Sequence, residues 1–140
     1  NPELMAVRLG GNGDVTGSHI AWRRDRSAPS TPTPVLVDGL LYTVSDKGIA
    51  SCLDARTGEQ QWMERLGGNY SASPIYADGR ILFLSEEGVA RWVRASKEFE
   101  LLQVNELSGR TFATPAFDGT GMYLRTDTEL LKIVDLKRNP

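Results

Sequence analysis

The stretch CLDARTGEQQW, residues 52–62, sets an Asp, a Thr-Gly pair and a Trp in a tight frame. Gly58 suits a turn because it takes a positive φ without steric cost. Asp54 suits the same turn because its carboxylate can accept hydrogen bonds from nearby backbone N–H groups, as Asx turns do. The segment therefore predicts a hairpin. Trp62 lies on the strand that leaves it, where a flat indole can pack against a neighbouring sheet. Cys52, the single cysteine, alternates with apolar neighbours and reads as a small buried hydrophobe.

The frame recurs along the chain. Trp22 and Trp62 are 40 residues apart, and Leu102 stands at the next equivalent position. Asp38-Gly39, Asp78-Gly79 and Asp118-Gly119 recur at the same interval. Pro34, Pro74 and Pro115 follow at 40 and 41, Ser45 matches Ser85, and Gly48 matches Gly88. A fixed period of this length means a propeller or a solenoid.

The content of each unit decides between them. TPVLVDG, LLYTVSDKG, IASCLDARTG and EQQWMERLGG are four short runs, residues 33–68, each closed by a turn. Asp-Gly between apolar runs is a strong hairpin signal. Four short strands per ~40 residues describe a propeller blade, here lettered A to D. A helical repeat would need a 3.6-residue period over ten or more residues. Only KEFELLQVNEL, residues 97–107, hints at one. It occupies the place of EQQWMERL in the preceding unit and reads as a degenerate strand D.

The expected fold is all-β: a propeller segment of about three four-stranded antiparallel blades. Strands C and D of an earlier blade are placed at 4–26, blades at 30–69 and 71–109, and a partial blade at 112–136.

At these residues the chain resembles the PQQ-like β-propellers, whose units typically read Ala-Leu-Asp-Ala-x-Thr-Gly followed by Trp. GIASCLDARTGEQQW carries that pattern, with Cys52 in place of the family's Ala. The wider run GDVTGSHIAWRRDRSAPSTPTPVLVDGLLY resembles the C-terminal half of exported bacterial proteins with this propeller. The unit at 71–109 departs from the pattern, because VRASKEFELL has neither Thr-Gly nor Trp. The first unit keeps Trp22 and replaces the turn with GGNGDVTG. Tryptophan packing between blades is therefore expected to be incomplete.

The family includes quinoprotein dehydrogenases. The resemblance implies that those enzymes hold their quinone over the ring centre with an acidic and amide calcium site, often beside adjacent cysteines. This chain has no Cys-Cys pair and no Asp/Asn/Glu cluster at calcium-ligand spacing. No cofactor, metal or catalytic residue is expected. His19 lies near Asp14 and reads as a turn-edge residue, since no second group completes an acid–base or metal site. GGNGDVTG lacks G-x-G-x-x-G spacing and no helix follows to receive a phosphate. WRRDRS reads as a solvated strand end.

Composition sets outer bounds. Hydrophobic residues make up 40%, charged residues 24%, and the net charge is −2. That balance gives no strong pull toward nucleic acid. No apolar run approaches the ~20 residues of a membrane span. NPELMAVRLGGNG is neither a signal nor a transit peptide. Residue 1 is not Met, and a start after a cleavage or at the edge of an excised fragment is the expectation.

Topology points to one face. In an up-and-down blade the D–A connections and B–C turns emerge on the same side. That side is expected to carry Asp46, Glu86, Glu87 and Asp127 from B–C turns, and Asn69, Tyr70, Arg110 and Phe112 from D–A connections. An acidic rim with exposed aromatics could hold a peptide, a glycan or a cation, because loops on a rigid scaffold concentrate binding residues.

The expected function is a non-catalytic scaffold, similar to the outer-membrane-assembly propeller lipoproteins. The resemblance places it in the periplasm or otherwise exported. The alternative is a fragment of a PQQ-dependent or hydrolytic propeller enzyme whose active residues lie outside this chain. A protein partner, or self-association through apolar open blade ends, is expected; the chain is a homo-oligomer or part of a larger propeller.

Overall fold

The computed structural model describes residues 2–134. The expected end of the last blade, at 136, lies outside them. Among the described residues there are thirteen strands and no helix.

Four antiparallel sheets follow one another along the chain. The first pairs β1 (Leu4–Val7) with β2 (Ile20–Arg24). The second runs β3 (Val35–Val37), β4 (Leu40–Val44), β5 (Ile49–Asp54), β6 (Gln60–Arg65). The third runs β7 (Ile75–Ala77), β8 (Arg80–Leu84), β9 (Val89–Arg94), β10 (Leu101–Glu106). The fourth has β11 (Ala116–Phe117), β12 (Met122–Arg125) and β13 (Leu130–Ile133). Each strand pairs with its sequence neighbour, the up-and-down order of a propeller blade. Within KEFELLQVNEL, residues 101–106 form the strand the repeat requires, and 97–100 belong to the turn before it.

The Asp-Gly pairs close tight A–B hairpins. Asp38 and Gly39 have φ of 48° and 79°, and Asp78 and Gly79 have 50° and 75°. Two successive positive φ values make the turn whose twist matches its flanking strands. In the fourth sheet Phe117 pairs with Met122, so Asp118 to Gly121 form a longer loop.

The core lies between sheets, because each sheet buries its alternating residues against the next. Leu40, Tyr42, Val44, Ala50, Cys52 and Trp62 pack against Tyr70, Ile81, Phe83 and Val93. On the other side of the third sheet, Ala72, Leu82, Leu84 and Ala90 meet Met122 and Leu124. Full burial of a side chain such as Leu82 or Phe83 stabilises by about 1.5–3 kcal/mol. Cys52 sits in this core with no solvent exposure, and burial pushes its thiol up to about 11.

Hydroxyls tie the inner edges of successive sheets. The N–H of Thr33 donates to Ser73 Oγ at 2.9 Å, and that of Ser73 to Thr114 Oγ1 at 2.9 Å. This accounts for a Ser or Thr before each repeated proline.

The tryptophan frame needs one correction. The 40-residue period puts Leu102 in the place of Trp62. The register puts Gln103 there, because Trp62 faces Cys52 and Gln103 faces Trp92, the residue equivalent to Cys52. The turn between β9 and β10 is one residue longer than that between β5 and β6, and this shifts the frame.

A second expectation also changes. Both ends of the stack were expected to expose apolar sheet faces. At the first end Met5, Val7 and Leu36 are exposed, in keeping with that. The outward side of the fourth sheet is mixed instead: Leu130 is 73% exposed there, and a polar network lies beside it. Asp118 accepts bonds from the N–H groups of Thr120 and Gly121, from Thr120 Oγ1 and from Tyr123 Oη. Lys132 lies 5.0 Å over the Tyr123 ring and bonds Thr120.

Candidate functional site

The opening motif is a joint between sheets. Asp54 accepts from the N–H groups of Arg56 at 2.9 Å and Thr57 at 3.0 Å. This fixes the C–D turn, and Trp22 of the preceding sheet docks on it. The Trp22 indole N–H donates to the Ala55 carbonyl at 3.0 Å. The ring lies so close that a Cβ at Gly58 would come within 2.6 Å of it. Arg24 donates to the Gly58 carbonyl and to Gln60 Oε1. One period later, the Trp62 N–H donates to the Ser96 carbonyl at 3.1 Å, and Phe99 meets the indole edge-on at 5.2 Å.

The D–A connections and B–C turns do meet on one face, and three carboxylates cross from blade to blade there. Asp46 accepts from the N–H groups of Ser30 at 2.7 Å and Thr31 at 3.2 Å. Glu87 accepts from the Asn69 backbone N–H at 3.1 Å and from its side-chain amide at 2.9 Å. Asp127 accepts from the Arg110 N–H at 3.1 Å. Each B–C turn thus holds the connection that leads into its own blade.

These bonds explain the electrostatics. Partial burial opposes the charged form of Asp46, and the Ser30 and Thr31 donors outweigh it, so its carboxyl stays below its ordinary value. At Glu87 burial again pulls upward. The Asn69 side-chain amide and the neighbouring donors overcome it and hold the group at about 2. A carboxylate receiving several N–H bonds behaves in this way.

The remaining rim residues divide. Glu86 accepts from Ser71 Oγ at 2.6 Å and from Arg110 Nη2 at 3.1 Å. Arg110 lies 4.8 Å over the exposed ring of Phe112. Lys47 donates to Asn69 Oδ1. Tyr70 was expected to be an exposed aromatic, and it is 1% exposed. Its ring fills the space between the second and third sheets, and its hydroxyl accepts from Arg91 at 3.2 Å. An aromatic at a connection is drawn under the loop when an apolar space and a hydroxyl partner are both available.

His19 and Asp14 do not pair. Asp14 accepts from the Thr16 N–H, and His19 Nδ1 lies 2.7 Å from Ser18 Oγ. Among the described residues no three His, Cys, Asp or Glu side chains converge as a metal site. Sequence reasoning missed Lys47, Ser71 and Arg91, whose roles depend on partners 15 to 22 residues away.

Solved structures share this arrangement. A europium-containing methanol dehydrogenase matches with a TM-score of 0.56 and 14% identity, over 78% of this chain and 21% of its own. BamB from Moraxella catarrhalis matches with a TM-score of 0.53 and 14% identity, over 86% of this chain and 49% of its own. The chain spans less than half the length of either, and at this identity the likeness concerns the fold. No curated protein matches the chain. A family model described as outer membrane protein assembly factor BamB matches residues 13–137. With its repeated blades and indole joints, the chain belongs to that family of PQQ-like propeller repeat proteins.

Proposed function

We propose that the chain is a non-catalytic scaffold: part of a larger exported propeller that docks a protein partner on its D–A/B–C face. The observation that carries this is the use of the rim carboxylates. Asp46, Glu87 and Asp127 all accept backbone N–H groups of the adjoining connection. They hold loops in place, and a rigid loop face suits docking. The face presents Arg110 stacked on Phe112 and ion-paired with Glu86. Arg and aromatic side chains dominate the energetic centres of protein interfaces. Asn69 and Lys47 extend the face; Tyr70 supports it from beneath.

The blade plan at 4–26, 30–69, 71–109 and 112–136 is part of this proposal, as is export. BamB is described as an outer membrane protein assembly factor, which favours a partner in the cell envelope.

The test is photo-crosslinking in living cells. A photoreactive amino acid replaces Phe112 in the full-length protein, and a control replaces Leu36. Crosslinks to one defined protein at position 112, lost in Arg110→Glu, agree with the proposal. Absence of crosslinks at 112, or equal crosslinking of the same partner from 36, contradicts it; crosslinks from 36 to a second copy of this chain do not.

A further inference from the structure

The loop joining β1 to β2, residues 8–19, is much longer than the other C–D turns, and only its base is held. The Arg8 N–H donates to the His19 carbonyl at 2.7 Å, and Asp14 accepts from the Thr16 N–H at 2.9 Å. The His19 ring and Val15 lie against Gly11, where a Cβ would come within 2.7 Å of His19 Nε2. Past that point Asn12 and Gly13 are both exposed. Among the described residues the Asn12 side chain has no hydrogen-bond partner, and the Gly13 N–H has no acceptor. Gly13 has a φ of 70°, and no atom lies within 4 Å of where its Cβ would stand.

An unrestrained asparagine followed by glycine has a defined chemistry. The glycine amide nitrogen attacks the side-chain carbonyl carbon of the asparagine and gives its proton to water. A nitrogen–carbon bond forms and closes a five-membered succinimide ring. The bond from that carbon to the side-chain nitrogen breaks, and ammonia leaves. Water then adds to one of the two ring carbonyls. Opening at the backbone carbonyl gives isoaspartate, and opening at the side-chain carbonyl gives aspartate. Nothing is oxidised or reduced, and water is the only co-reactant. Glycine favours the attack because no Cβ crowds its nitrogen and its backbone bends freely into the ring.

We infer that Asn12 is a site of spontaneous conversion to isoaspartate and aspartate, which the fold leaves unprotected. The other described asparagines are held. Asn69 donates its side-chain amide to Glu87 at 2.9 Å and accepts from Lys47 at 3.2 Å. The N–H that would attack it, that of Tyr70, donates to the Asp46 carbonyl at 3.1 Å. Asn105 stands in β10 opposite Ala90, and Glu106, with its Cβ, follows it in the same strand. The three Asp-Gly pairs carry carboxylates, whose negative charge turns a nucleophile away from the carbon. Conversion at Asn12 adds one negative charge to the loop and, in isoaspartate, one methylene to its backbone. The isoaspartyl product is the substrate class of isoaspartyl carboxyl methyltransferases.

The test ages the full chain at mildly alkaline pH, native and in urea, with an unaged sample as background. Trypsin then places Asn12, Asn69 and Asn105 in separate peptides, residues 9–23, 66–80 and 98–110. In the native protein the parent peptide 9–23 should disappear at least about tenfold faster than the other two, a barrier lower by about 1.4 kcal/mol. Two products should replace it, each heavier by the exchange of an amide for an acid, and one should accept a methyl group from isoaspartyl methyltransferase. Native and urea-unfolded chains should lose Asn12 at similar rates. Asn12→Gln should remove both products and leave Tm unchanged. Persistence of peptide 9–23 as long as the other two in the native protein overturns the inference. So does a native rate about tenfold or more below the unfolded one, a barrier raised by about 1.4 kcal/mol, because the folded loop would then be holding Asn12.

Discussion

The indole N–H of Trp22 donates to the carbonyl of Ala55 at 3.0 Å. Ala55 lies in the turn that Asp54 organises for the next sheet, so a side chain on the last strand of one blade fastens to a turn of the following blade. Trp62 and Ser96 repeat the relationship one period on. The motif that marks the repeat in sequence is the device that joins its copies.

Truncating Trp62 tests that joint. The side chain is 6% exposed and packs against Tyr42 and Phe99. Trp62→Ala is expected to lower stability by about 3–5 kcal/mol, the usual cost of deleting a buried large aromatic. Trp62→Phe keeps much of the packing and loses the bond to Ser96, so it should fall between. A denaturant melt of Trp62→Ala that shifts by less than about 1 kcal/mol would contradict the joint.

Acid should loosen the loop face by way of Glu87. Its carboxyl sits at about 2 in the folded chain against an ordinary 4.5. A depressed pKa stabilises fully above the unfolded value and is lost as pH falls through the folded one. The wild type should therefore lose stability between pH 4.5 and 2. Glu87→Gln should be less stable at pH 7 and lose less over that window. Parallel curves for the two proteins in thermal melts would remove Glu87 from the account.

Self-association is expected to be one-sided. On the outward side of the fourth sheet a polar network of Asp118, Thr120, Tyr123 and Lys132 stands beside the exposed Leu130, which it keeps from forming a continuous apolar patch. Leu36, by contrast, is 61% exposed at the other end, and Met5 and Val7 are exposed beside it. Large apolar patches rarely stay uncovered in monomers. The isolated chain should run larger than its 15.4 kDa in light scattering coupled to size exclusion. Leu36→Lys should shift it toward monomer. A wild-type monomer at micromolar concentration would show that the first sheet needs no cover.

Much of the fold was legible because its signals are local. Asp-Gly turns, alternating runs and the Thr-Gly frame each act within a few residues, and their recurrence fixes the period. The indole joint was legible in part: Trp62 was read as packing on the next blade, while its acceptor, Ser96, was not. The frame then failed by one residue at Gln103, because a longer turn leaves no mark in residue type. At the candidate site, topology brought Asp46, Glu87 and Asp127 to one face, yet their engagement with Ser30, Asn69 and Arg110 is tertiary. Tyr70 was misread for the same reason. Its burial depends on Arg91 and on the packing of two sheets.

The central claim is that rim carboxylates hold the loop face rigid for docking, and amide hydrogen exchange tests it most directly. The backbone amides of Ser30, Asn69 and Arg110 are the ones these carboxylates receive. All three should exchange slowly in the wild type. Glu87→Ala should accelerate Asn69 while leaving Ser30 and Arg110 protected, since bonded amides exchange only after local opening. Fast exchange of all three amides in the wild type would contradict the claim, as would an Asn69 amide indifferent to the loss of Glu87.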